Sequence, residues 1–580
     1  MFVKIVCTIG PASENYEVLT SMVKAGMNVA RLNFSHGDYE GHEHKLKLIR
    51  RVERDLNVPI PALLDTKGPE IRTGNVENDE ITLLAGSTLV LTETPCLGTP
   101  ERVYVNCPTL AQALSKGQHI YIDDGTLHLE VENVNGPDIA CRVVVGGQLH
   151  NMKGVNIPGV DVPLPALSEK DKEDIAWGIR HGMEYLAVSF VKTRSDILDV
   201  RKLVKSLNGS LKIIAKVETY EAVHNIEEIL DVVDGVMIAR GDLGVEIPTE
   251  DVPLVQKRII EMCRARGKAV IVATQMLDSM IRNPRPTRAE ANDVANAVLD
   301  GADAVMLSGE SASGAYPVQA VATMRRIVER AEKELSVWSL HVRGILNLAS
   351  VPDAVSDAAV LISKQVGAAA ILCLTKSGST AKMIGKYRPT CPIFGVTPLR
   401  STWRELALWW GIHPVMMREL SDLTVATKEA IEACLKEGLV REGELVVITA
   451  GIPLAHSGTN MVEVLTTGEI ILAGVSLVKK NACGKVCVAR DAKEAAEKVT
   501  DGCVLAVRHL SSEYNSVLGR VGAVISENEA SYDGNILALE HDVPCVMDVK
   551  DAFFVLSDDM EVTVDGMRGL IYRGRVKLVI

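Results

Sequence analysis

Lys216 and Glu218 stand two residues apart at the end of an apolar, β-branched run, 211–217, and Arg240 and Asp242 close a second such run, 233–239. Side chains alternate along a strand, so Lys216 and Glu218 face one side while Val217 faces the other. A helix-like stretch separates the two runs, which makes a βαβ unit with its charge at the strand ends. A right-handed crossover sets the second strand parallel to the first and brings Asp242 to the edge that carries Glu218. Two carboxylates beside an ammonium suit a divalent cation held next to a phosphoryl group. A buried ion pair is the competing explanation for either strand alone, because structural networks also gather charge. Gly241 and Gly244 weigh toward the site, since they let backbone N–H groups approach an anion closely.

Such a unit needs a scaffold, and 580 residues at roughly 150 per domain suggest about four units. Hydrophobic content of 47% against 24% charged residues is globular, and no apolar run is long enough for a membrane helix. The start, MFVKIVCTIGPAS, is too short and strand-like for a signal peptide, so a cytoplasmic location is expected. Twelve scattered cysteines read as reduced thiols, and a net charge of -13 argues against a nucleic-acid partner. Strands are expected at 4–10, 27–35 and 59–66, then at 185–191, 211–218, 233–240, 269–275 and 302–308, each followed by a helix. Eight successive βα units imply a closed barrel with its active site at the C-terminal strand ends. Between 67 and 164 the helical rhythm gives way to TLVLT, RVYVN, HIYIDD, LHLEVENV and CRVVVGG, an inserted, mainly antiparallel β domain placed to act as a lid.

The other strand ends add polar groups. ARLNFSHG brings Arg31, Asn33 and Ser35 to one side, a phosphate or cation shell. LLDTKGPEIR adds Asp65, Thr66, Lys67, Glu70 and Arg72, a set expensive to bury for structure alone. Thr274 after strand seven reads by itself as a helix cap, and Ser308 and Glu310 after strand eight as caps of the next helix. His42 and His44, at i and i+2, do not share a helix face and are taken as surface residues rather than a metal pair.

RLNFSHG at 31–37, LDTKGPEIRTG at 64–74, KGVNIPG at 153–159, ARGDLGVEI at 239–247 and the long run at 273–317 resemble pyruvate kinase, over residues 1 to about 470. The resemblance implies a TIM (β/α)8 barrel at 1–66 and 165–340, a β-barrel lid domain at 67–164, and an α/β regulatory domain at 341–473. It implies transfer of a phosphoryl group from phosphoenolpyruvate to ADP. Glu218 and Asp242 would hold Mg2+ or Mn2+; Lys216 and Arg31 would flank the phosphoryl group; Gly241, Asp242 and Thr274 would take the substrate carboxylate. Asn33, Ser35, Asp65 and Thr66 would coordinate K+, and Glu70 matches the K+-dependent members of the family. Asn33, Phe34, Ser35, His36, Arg72 and Lys153 would contact the nucleotide.

The family's usual K-I-E-N-x-E-G appears as Lys216, Val217, Glu218, Thr219, Tyr220, Glu221, Ala222, which leaves the start of the following helix in doubt. Thr375, Lys376, Ser377, Gly378, Ser379 and Thr380 enter a helix N-terminus, an arrangement that suits phosphate or simply caps the helix. The loop resembles the family's effector loop, which implies activation by a sugar phosphate or AMP, and a homotetramer is the family expectation. Residues 474–580 resemble the swivelling phosphohistidine domain of phosphoenolpyruvate synthases. That family's Thr-Ser-His is replaced by Ser531, Tyr532 and Asp533, so a structural or interface role is expected. Two rival readings, a barrel lyase or aldolase on an enol-type substrate and a non-catalytic metabolite sensor, fit less well. The first has no use for a nucleotide lid, and the second should have lost one of Lys216, Glu218, Asp242 or Thr274.

Overall fold

The computed structural model describes residues 1–160, 162, 165–334, 350–452, 458–576 and 578. The expected domain boundaries at 164 and 340 lie outside the described residues. The chain forms two compact units, Met1–Ala349 with Leu399–Pro414, and Ser350–Pro398 with Val415–Ile580.

In the first unit, eight parallel strands close into a barrel: β1 (Lys4–Thr8), β2 (Val29–Asn33), β3 (Ala62–Asp65), β4 (Tyr185–Val188), β5 (Lys212–Val217), β6 (Gly235–Ala239), β7 (Ala269–Ala273) and β8 (Ala304–Leu307). Every residue of β1, β6 and β7 is buried, because the helix ring covers one face and the packed interior the other. Short polar residues start the helices. Asn15, Asp38, Ser168, Thr193, Thr219 and Thr287 each accept a backbone N–H of the first turn, bonds worth about 1 kcal/mol apiece. Thr219 therefore resolves the question left by the altered motif, since it caps the helix Tyr220–His224 and Ala222 packs fully buried inside it.

The inserted β domain leaves after β3 and returns before the helix Glu169–Arg180. Its six-stranded sheet runs in the order Val155–Asn156, His119–Ile122, Leu127–Asn135, Asp138–Val145, Thr88–Thr92 and Arg102–Tyr104, antiparallel except for the last pair. A two-stranded ribbon, Gly147–His150 with Glu80–Leu83, completes it around a separate core. At the other end of the barrel the segment Leu399–Pro414 is fastened by polar bonds. Tyr185 Oη donates to the Glu405 carbonyl at 2.6 Å and Lys4 Nζ to the Ile412 carbonyl at 2.7 Å.

The second unit holds a sheet whose strands Ile393–Thr397, Ala370–Leu374, Leu445–Ala450 and Met461–Thr466 lie in that order. An eight-stranded sheet follows, beginning with Ile470–Ala473, which pairs with Leu570–Arg573. None of the twelve cysteines is in a disulfide.

Candidate active site

The C-terminal ends of β1 to β5 gather a continuous polar shell. Register sets Thr8 beside Arg31 and Asn33 beside Asp65. Arg31 Nε donates to Asp65 Oδ2 at 2.6 Å and its Nη1 to Thr8 Oγ1 at 2.8 Å. Lys216 Nζ lies 2.7 Å from Glu218 Oε1 and 3.2 Å from Asp65 Oδ1, and donates to Ser189 Oγ at 2.7 Å. Glu218 Oε2 accepts the Phe190 N–H at 2.8 Å. Burial opposes the charge on Lys216, but Asp65 and Glu218 outweigh it and hold the ammonium above its ordinary range. Burial likewise opposes the Asp65 charge, and Arg31 with Lys216 more than offsets it, keeping the carboxyl below the usual range. Two fixed cations thus flank one carboxylate in a dry setting, where charge interactions are strong.

Asp242 sits in a short helix, Arg240–Glu246, directly after β6. Burial, and then the nearby Glu218 charge, push its carboxyl up to about 7, with Asp124 and Glu70 adding to the rise and Lys216 opposing it. Acidic charge in excess of its local partners fits a divalent cation at Glu218 and Asp242, and Mg2+ favours few protein carboxylates with the remaining positions filled by substrate and water.

A carboxyl raised from 3.8 to about 7 contributes stability that is complete below about pH 4 and lost by the time the pH has risen through 7, because over that range the unfolded chain has given up a proton that the folded state still holds. Without divalent ions, the wild-type Tm is expected to fall between about pH 4 and 7 relative to Asp242→Asn, and Mg2+ to restore it. Parallel melting curves for the two proteins would remove this role for Asp242.

Thr274 does not cap a helix. It and Gln275 take left-handed backbone, φ 68° and 53°, a strained conformation for a β-branched residue of the kind that collects at functional sites. Thr274 Oγ1 donates to the Ala273 carbonyl at 2.6 Å and accepts the Gly241 N–H at 2.7 Å. The Gly241 N–H expected to face a substrate carboxylate is therefore already bonded to the threonine expected to share that task. Arg240 holds the strained turn from behind, donating to the Thr274 carbonyl at 2.8 Å and pairing with Asp293 at 2.6 Å. Ser308 makes no side-chain cap either. Glu310 instead accepts the Ser308 N–H at 2.8 Å and the Leu277 N–H at 3.0 Å, tying the loop after β8 to the loop after β7.

On the inserted domain, Arg72 and Lys153 come close through the Arg72–Gly154 bridge, but each cation has a carboxylate: Arg72 Nε lies 2.7 Å from Glu70, and Lys153 Nζ 2.9 Å from Asp123. Ile71, Asn156 and Ile157 of this domain and Phe190, Thr219 and Asp242 of the barrel line one cleft. His36 is exposed at its turn, whereas the Phe34 side chain is buried and stacks on His42, ring centroids 4.0 Å apart. His42 is thus not a surface residue. It lies one turn before Leu46 on the buried stripe of its helix, bonds the His36 carbonyl through Nε2 at 3.0 Å, and is held neutral by burial, down to about 4. His44 is exposed.

Residues 2–321 match the family profile of the pyruvate kinase barrel domain, 353–465 that of its alpha/beta domain, and 499–569 that of the PEP-utilising enzyme mobile domain. Pyruvate kinases of Geobacillus stearothermophilus and Bacillus licheniformis are each 45% identical, with 99% of both chains covered. The chain belongs to the pyruvate kinase family. The crystal structure of a pyruvate kinase from Cryptosporidium parvum is similar in fold, with TM-score 0.77 and 36% identity over 80% of this chain and 96% of that one.

In the pyruvate kinase alpha/beta domain, residues 375–380 follow the strand Ala370–Leu374. Gly378, at φ 81°, donates to Thr375 Oγ1 at 2.9 Å; Ser377 Oγ lies 3.0 Å from Ser379 Oγ; Thr380 is buried; and Lys376 pairs with Glu419 at 2.6 Å. In the C-terminal sheet region, Ser531 caps the helix Tyr532–Glu540 by accepting the Gly534 N–H at 3.0 Å. His541 stands past the far end of that helix and bonds Asn515 at 2.9 Å. Two residues of the enzyme's polar shell escaped the sequence reading, Ser189 against Lys216 and Thr8 against Arg31. Each is a hydroxyl residue at the end of an apolar barrel strand, the same signal that singled out Thr274.

Proposed function

We propose that the enzyme transfers the phosphoryl group of phosphoenolpyruvate to ADP, giving pyruvate and ATP, as the last step of glycolysis in the cytoplasm. The observation that carries this reading is the Lys216 ammonium, within 3.2 Å of both Asp65 and Glu218, with Arg31 on the other oxygen of Asp65. An ADP terminal oxygen attacks phosphorus, the bond from phosphorus to the enol oxygen breaks, and the enolate takes up a proton to become pyruvate. Lys216 is a compact point charge that can follow the phosphoryl group between the two oxygens, while Arg31 grips it from the far side. Gly241, Asp242 and Thr274 bind the substrate carboxylate once the Thr274 hydroxyl turns toward it. Glu218 and Asp242 would hold Mg2+ or Mn2+, which would supply charge neutralisation for the group in transfer.

The inserted domain (67–164) is read as a lid on the barrel (1–66, 165–340), bringing Arg72 and Lys153 to the nucleotide above residues 33–36 and excluding water. Asn33, Ser35, Asp65 and Thr66 offer the oxygen donors that suit K+. The alpha/beta domain (341–473) is read as the seat of a phosphorylated activator, a sugar phosphate or AMP, at residues 375–380 and as a source of homotetramer contacts; residues 474–580 take a structural or interface role.

One coupled assay tests the reaction: phosphoenolpyruvate plus ADP, with and without Mg2+, scored for pyruvate. Turnover that needs both substrates and the metal supports it; release of pyruvate and inorganic phosphate without ADP, which is hydrolysis of phosphoenolpyruvate, overturns it. Exchanging K+ for tetramethylammonium is expected to lower kcat at least about tenfold, a loss of about 1.4 kcal/mol in transition-state stabilisation. Unchanged activity would remove K+ from the account.

A further inference from the structure

Two stretches of chain join the inserted domain to the barrel, one leaving after β3 and one returning ahead of the helix Glu169–Arg180, and a single side chain bonds to both. Asp171 is completely buried. Its Oδ1 accepts the Gly68 N–H of the outgoing stretch at 3.1 Å. Its Oδ2 accepts the Ser168 N–H and Oγ–H of the returning stretch at 2.9 and 2.6 Å.

The bonds to Ser168 form a capping box, which the helix alone would explain. The bond to Gly68 has no such explanation. It spans 103 residues of sequence and serves no helix. Gly68 is also fixed by its own conformation, at φ 74°, with room for no side chain: a Cβ there would come within 2.8 Å of Ser189 Cβ and 2.9 Å of the Phe190 ring. Ser189 receives the Lys216 ammonium and Phe190 donates its N–H to Glu218. The outgoing stretch is thus pressed against the residues that position the reacting lysine and the candidate metal ligand.

We propose that Asp171 is a positioning residue that clasps the two connections into one hinge. The inserted domain then moves as a unit and closes on the nucleotide in register with Lys216. Hinges of this kind are a few residues at element ends, distant from the chemistry they gate. The inference rests on the reading of the inserted domain as a lid over ADP.

Asp171→Asn keeps the shape of the side chain but sets an amide where three donors converge, so at least one connection is released. Its kcat/KM for ADP is expected to fall about tenfold or more, with KM for phosphoenolpyruvate, which binds on the barrel, within about twofold of wild type. Ser168→Ala is the control for helix capping alone. It removes the hydroxyl yet leaves both backbone N–H groups on Asp171, so its Tm should fall while kcat/KM for ADP stays within about twofold. Equal losses toward both substrates in Asp171→Asn, or an equal ADP defect in Ser168→Ala, would overturn the clasp. Should Asp171→Asn fail to fold, amide exchange of the intact wild-type enzyme decides: Gly68 is expected to exchange as slowly as the residues of β3, and exchange at a loop's rate overturns the proposal. That measurement needs no substrate, so a wild type lacking ADP-dependent turnover would count against the kinase reaction alone.

Discussion

Lys216→Met is expected to lower kcat by about a thousandfold while the affinity for Mn2+ stays within about threefold. The size follows from what is removed, a fixed ammonium aimed at charge that develops during phosphoryl transfer, and loss of one such group in a water-excluded site costs about a hundredfold to a thousandfold. Of the two proposed divalent-metal ligands Lys216 pairs with Glu218, and Glu218 keeps its bond from the Phe190 N–H when the lysine is gone. The variant should also be less stable, because Asp65 and Glu218, each 1% exposed, lose a shared cation and an uncompensated buried charge is costly. Lys216→Arg is not a rescue, since a planar guanidinium does not reproduce a compact ammonium between Ser189, Asp65 and Glu218. Near-normal turnover in Lys216→Met would remove the lysine from the chemistry.

Glu218→Gln is expected to weaken Mn2+ binding by about a hundredfold, about 2.7 kcal/mol, measured by titration of the metal into substrate-free enzyme. Asp242→Asn should weaken it similarly, yet the two variants part in stability. Neutralising Asp242 removes a carboxyl that burial and Glu218 already disfavour, so the metal-free protein gains stability above pH 7. Neutralising Glu218 leaves the buried Lys216 with only Asp65 as a charged partner, so stability falls. Equal Mn2+ affinity in wild type and Glu218→Gln would place the metal elsewhere.

The parts legible from the chain are those governed by local periodicity. Alternation along β5 put Lys216 and Glu218 on one side, and they lie 2.7 Å apart; eight βα units implied closure, and β8 pairs with β1. Taking His42 and His44 both as surface residues missed the burial of His42, which the stripe His42, Leu46, Ile49 and Glu53 sets by its 3.6-residue period. What stayed hidden depends on pairing between distant segments. The pairing of Lys153 with Asp123 follows from strand register within the insertion, and no local pattern fixes that register. The same holds for Thr274, whose hydroxyl meets Gly241 from the neighbouring strand end, and for Asp171, whose bond to Gly68 crosses 103 residues of sequence.

The most direct test is a crystal structure of the enzyme with Mn2+ and oxalate, a planar dianion of the size of the enolate product. The account predicts an anomalous peak bonded to the Glu218 and Asp242 carboxylates, with the oxalate on that ion and Lys216 Nζ against the same ligand. A peak bound to other carboxylates, with Lys216 remote from the oxalate, would contradict it.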